Sequence, residues 1–71
     1  MTISAINVRN QFKGLVKSIN AGPVVSEIEV DTPSGVVSSI ITTSSVKDLE
    51  LKIGSAVIAL VKATEVSIAK L

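Results

Sequence analysis

The sequence predicts an all-β fold: a small five-stranded OB-like barrel with one short helix between its third and fourth strands. Three observations carry this expectation. Apolar and polar residues alternate at period two along most of the chain. Two turn clusters, Asn20-Ala21-Gly22-Pro23 and Thr32-Pro33-Ser34-Gly35, cut the alternation into strand-sized pieces. The hydroxyl run Thr42-Thr43-Ser44-Ser45, followed by Val46 and Leu49 three apart, breaks the pattern once with a helix start.

Ile6, Val8, Phe12 and Val16 share one parity, interrupted by Asn10 and Gly14. The first strand is therefore expected to begin at Ile6 and to bend or bulge at the glycine. The second runs from Val24 to Asp31, with Val24, Ile28 and Val30 on one face and Glu27 and Glu29 on the other. Pro33 has its φ pre-set for the first corner of the next turn. Val36 to Thr42 makes the third strand. Ser44 or Ser45 can cap the helix that follows, with Asp48 near its first turn. Leu51-Lys52-Ile53-Gly54 turns into a fourth strand from Ser55 to Lys62, and a short fifth covers Val66 to Ala69. No linker, low-complexity tract or internal repeat interrupts the pattern, so residues 1–71 read as a single domain.

The chain is 46% hydrophobic with one aromatic residue, and it has no Cys, His, Trp or Tyr. A 71-residue monomer buries only ~60% of the surface its unfolded chain exposes, and small chains compensate with disulfides, metals or association. Disulfides are excluded, and without His or Cys a bare metal cation finds poor ligands. Association of copies is the remaining route. No histidine exists to activate a serine, no G-x-S-x-G elbow occurs and the six acids are scattered over polar faces, so an enzyme is not expected. One phenylalanine and a net charge of +1 do not make the stacking platform and basic groove of a single-strand nucleic-acid binder. No apolar run approaches the ~18 residues of a membrane span; the longest, Ala56 to Val61, is strand-sized. A soluble cytoplasmic protein, contacting neither nucleic acid nor membrane, is the expectation.

Three places are rich in donors. Arg9, the only arginine, lies between the amides of Asn7 and Asn10 and offers a fixed charge with a fork of N–H groups; otherwise it is one side chain of a solvated strand. Thr42 and Ser45 have a T-x-x-S spacing that sets two hydroxyls around one helix start, where ordinary N-capping would also put them. Lys62 ends the apolar run on the parity of Ala56, Ile58 and Leu60, where a core-facing residue is expected, unless it snorkels from a strand end. Together these positions supply only donors. That inventory suits a deprotonated tetrahedral dianion, which can only accept hydrogen bonds.

At these residues the chain resembles the molbindins, small Mop-type proteins of the TOBE domain group. The resemblance rests on Val8-Arg9-Asn10-Gln11-Phe12-Lys13-Gly14, Thr42-Thr43-Ser44-Ser45-Val46 with Leu49 and Leu51, Ile53-Gly54, and Val61-Lys62-Ala63-Thr64-Glu65-Val66, in order over nearly the whole chain. It implies binding and storage of molybdate, and of tungstate, at the subunit interfaces of a hexamer built as a trimer of dimers. Carried over by motif, the implied ligands are Arg9, Thr42, Ser45, Lys62 and the backbone around Ala63. The family's Ser-Ala-Arg-Asn is Asn7-Val8-Arg9-Asn10 here, so the Asn7 amide stands where a serine hydroxyl is usual. The alternative from another class is a structural or regulatory module that uses the same barrel to dimerise a partner, without holding an oxyanion.

Overall fold

The computed structural model describes residues 6–71, which form one antiparallel sheet curled into a half-barrel. Its strands are β1 (Asn10–Ala21), β2 (Val25–Thr32), β3 (Gly35–Thr42) and β4 (Ala56–Val61), in the spatial order β3-β2-β1-β4. A six-residue helix, α1 (Thr43–Asp48), lies between β3 and β4, and a 3-10 turn, Ala63–Glu65, follows β4. The all-β class and the place of the helix are as the sequence predicts.

β1 is the spine of the sheet. Its first half, Asn10 to Leu15, pairs with β4, and its second half, Leu15 to Ala21, pairs with β2. The ladder begins at Asn10 and not at Ile6, because β4 ends at Val61, the partner of Asn10. Ile6 to Arg9 therefore have no strand to pair with, and they run as irregular chain.

The expected bulge is present, but it lies between Val16 and Ser18 and not at Gly14. There the inward parity changes from Phe12 and Val16 to Ile19, which packs on the core and sits opposite Ile28. The glycine serves a close approach instead. A Cβ on Gly14 would lie 2.0 Å from the Asp31 carbonyl oxygen and 2.9 Å from Val30 Cγ1.

The core is small. Val16, Ile28 and Val30 are buried, with Ile19, Ile41, Val46 and Val57 packed around them. At about 1.5–3 kcal/mol per buried side chain, three residues make a thin core. Glu27 and Glu29 face away from it, as their alternation predicts, but Val24 does not join Ile28 and Val30. It precedes β2 and is 71% exposed, while Ser26 takes the inward position next to Ile28.

β4 also differs from expectation. Val57 packs on the core, whereas Ala56 and Leu60 are exposed, so the inward parity is the opposite of the one expected for this run. An uninterrupted apolar run carries no alternation, and here the register with β1 decides. Lys62 thereby continues an outward parity, and it is exposed.

No fifth strand occurs among the described residues: Val66 to Leu71 run without regular structure. The two edge strands, β3 and β4, thus remain apart. Between them opens a groove of about 270 Å3 lined by Ile28, Val30, Val37, Ile41, Val57 and Val61, among others.

Helix α1 ends in a Schellman arrangement. The Glu50 N–H donates to Lys47 O and the Leu51 N–H to Val46 O, both at 3.0 Å. The residue that turns the chain there is Glu50, at φ 52°, in the left-handed region that favours glycine. Glu50→Gly is expected to stabilise the fold by about 1 kcal/mol, read as a higher urea midpoint at unchanged slope.

Candidate functional site

Two groups of donors stand on this scaffold. The first is at the β3–α1 junction. Thr42 leaves β3 in extended conformation and caps the helix itself, in place of the expected Ser44 or Ser45. Its Oγ1 accepts the Ser45 N–H at 3.1 Å and lies 2.7 Å from Ser45 Oγ and 3.2 Å from Ser44 Oγ. Cap and hydroxyl cluster are therefore one structure. Three hydroxyl protons serve two mutual contacts, so the cluster can turn at least one donor outward toward an acceptor.

The second group is at the start of β1 and the end of β4. Asn10 and Val61 are the last pair of that ladder, and Asn10 Nδ2 donates to the Val61 carbonyl at 3.1 Å. The Asn10 amide thus ties two strand ends together and is not simply a free flank for Arg9. Arg9 and Lys62 lie one step beyond this pair, on adjacent segments, and both are exposed. Lys62 precedes the 3-10 turn that begins at Ala63, and its carbonyl accepts the Glu65 N–H at 2.9 Å. Asn7 is exposed in the irregular segment before β1.

The structure brings Thr42 and Ser45 into contact and sets Arg9 beside the strand end that carries Lys62 and Ala63. It does not bring the two groups together. β3 and β1 are both antiparallel to β2, so Thr42 stands at the Ala21 end of β1; β4 is antiparallel to β1, so Lys62 stands at the Asn10 end. About 36 Å of extended chain separates those ends at ~3.3 Å per residue.

Behind the hydroxyl cluster lies a polar pair that the sequence reading did not single out as functional. Ser26 is 1% exposed, and its Oγ is 2.8 Å from Thr43 Oγ1. Thr43 Oγ1 in turn donates to Gly22 O at 2.7 Å, and the Thr43 N–H donates to Val24 O at 2.8 Å. A serine at an inward position between apolar neighbours was the available signal. Among the described residues, no group of three or more His, Cys, Asp or Glu side chains could hold a metal ion, and no helix is long and apolar enough to cross a membrane.

Comparison with known proteins gives this arrangement its context. Residues 6–68 match the TOBE domain. A probable molybdenum-pterin-binding protein of Haemophilus influenzae is 41% identical over 64 residues, which span 89% of this chain and 93% of that protein. MopII of Clostridium pasteurianum superposes with a TM-score of 0.87 at 37% identity, covering 93% of this chain and all of the other. A molybdate-binding protein from Sporomusa ovata gives 0.85 at 41% identity, covering 99% and 100%. The chain belongs to the TOBE domain family, in its small Mop-type branch of molbindins. That is a family of binding proteins and not of enzymes, in line with the residue inventory.

Proposed function

We propose that this chain binds molybdate, and tungstate with it, at the subunit interfaces of a homo-oligomer, a hexamer arranged as a trimer of dimers, and so buffers molybdenum in the cytoplasm. The observation that carries this reading is the placement of the donors. Thr42 and Ser45 stand at one end of β1, and Arg9, Lys62 and Ala63 at the other, so a site drawing on both needs a second chain. Asn7 joins the second group in the place of the family's serine. The similarity to proteins described as molybdate-binding supports the choice of ligand.

Association has its own support. Val24, Val25 and Ile40 are exposed around Thr42, and Leu49, Ile53 and Ile68 elsewhere, with Ile68 90% exposed. On the same reading, the fifth strand expected over Val66 to Ala69 forms on assembly, against an edge that a neighbouring chain supplies. Both edge strands are open to such pairing.

Calorimetric titration with molybdate, tungstate, sulfate and phosphate tests the ligand. Molybdate and tungstate are expected to bind and sulfate to bind far more weakly, because a cavity spaced for the larger ion leaves donors out of reach of the smaller. Sulfate as tight as molybdate, or no heat from any anion, would refute the reading. Light scattering tests the assembly, and a chain that stays monomeric at micromolar concentration with molybdate present refutes the interface site.

A further inference from the structure

We infer that Thr43 and Ser26 are positioning residues for the Thr42–Ser45 hydroxyl pair, and that through it they set discrimination between oxyanions of different size. This rests on the proposed oxyanion reading and adds two residues that touch no ligand.

Helix α1 has six residues, too few to be stable alone, and none of them is buried. Something must therefore hold its first turn in place. Thr43, its first residue, does so from both backbone and side chain. The Thr43 N–H reaches Val24 O and Thr43 Oγ1 reaches Gly22 O, so the helix start is fastened to the β1–β2 turn.

That turn is itself tight. The Gly22 N–H donates to Val25 O at 2.9 Å, and a Cβ on Gly22 would come within 2.7 Å of the same oxygen.

The proton count fixes the direction of the last contact. A threonine hydroxyl has one proton, and Thr43 gives its proton to Gly22 O. The proton between Ser26 and Thr43 must then come from Ser26, giving a one-way chain from Ser26 through Thr43 to Gly22. Because Ser26 is buried, water does not replace the contact when either partner is lost.

Thr42 and Ser45 flank Thr43 in sequence and are bonded to each other across it. Loosening Thr43 therefore lets both hydroxyls move. Donors held apart favour a large tetrahedral ion, whereas donors free to close in lose that preference. A network that only stabilised the fold would change the folded fraction and leave the ratio of affinities untouched.

The test uses the full chain with Thr43→Val, Thr43→Ser and Ser26→Ala, each measured by amide hydrogen exchange without ligand and by titration with molybdate and with sulfate. In Thr43→Val the amides of residues 43 and 45 are expected to exchange at least about tenfold faster while the β1–β4 amides keep their protection. The molybdate-over-sulfate affinity ratio is expected to fall by roughly tenfold. Ser26→Ala is expected to move both readouts in the same direction by less, and Thr43→Ser, which keeps the hydroxyl, to hold both near the unsubstituted values. An unchanged ratio in both Thr43→Val and Ser26→Ala overturns the inference, as does native protection at residue 45. If Thr43→Val does not fold, Ser26→Ala decides by the same measurements. If the unsubstituted chain binds no molybdate, the oxyanion reading fails by itself, and hydrogen exchange still judges whether the network holds the helix start.

Discussion

Lys62→Ala is expected to weaken molybdate binding by on the order of tenfold to a hundredfold, the scale of one lost charge-assisted hydrogen bond to a desolvated ion. Lys62 stands just past the last β4 pair, on an outward parity, exposed in the single chain. No packing role competes with a role toward an anion, so the substitution should leave the fold in place. Without ligand, circular dichroism and scattering should match the unsubstituted protein, and the loss should show in the titration. Sulfate, expected to bind weakly in the first place, should respond less. Unchanged molybdate affinity would return Lys62 to solvent and leave Arg9 as the charged donor of the proposed group at that end of β1.

Gly14→Ala carries the largest expected effect on the fold. The new methyl would lie 2.0 Å from the Asp31 carbonyl oxygen, a backbone atom inside the β1–β2 crossing that no rotamer change can move. The two strands must separate where Leu15 faces Asp31, next to the buried Val16 and Val30. Overpacking of this kind costs about 1–3 kcal/mol and more when backbone must shift. Against a core of three buried apolar side chains, that is a large share of the total. Denaturant titration is expected to show a sharply lower midpoint or no cooperative transition. A midpoint equal to that of the unsubstituted chain would mean that the strands can part there at little cost.

Where the sequence alternates, it foretold the structure. Phe12 and Val16 on one parity, Ile28 and Val30 opposite Glu27 and Glu29, and the turns at Gly22-Pro23 and Pro33-Gly35 place three strands, although β1 starts at Asn10 and not Ile6, and Val24 stays outside β2. In the second turn Thr32 closes the loop, accepting the Ser34 N–H and donating to Gly35 O.

The failures have local causes. Ala56 to Val61 is apolar throughout, so its inward face is set by pairing with β1 and by nothing within the run itself. Four consecutive hydroxyl residues could each cap a helix, and the choice of Thr42 follows from where β3 stops pairing with Val25. The bulge moved from Gly14 to the Val16–Ser18 step because the glycine was needed for closeness, a property that a one-dimensional pattern does not encode. Of the candidate site, the Thr42–Ser45 contact was legible from its spacing. The fastening of that contact by Ser26 and Thr43 was not, since it joins residues 17 apart.

If the proposed function holds, the division of donors between the two ends of β1 ties occupancy to concentration. Under the proposed function, a single chain has two incomplete sites and no whole one, so anion capture and subunit association are one equilibrium. Ligand then drives assembly, and dilution of the protein lowers its apparent affinity even where no contact has changed. The amount of oxyanion such a protein can retain would therefore grow more steeply than the amount of protein made, so that synthesis of the chain acts as a threshold on storage.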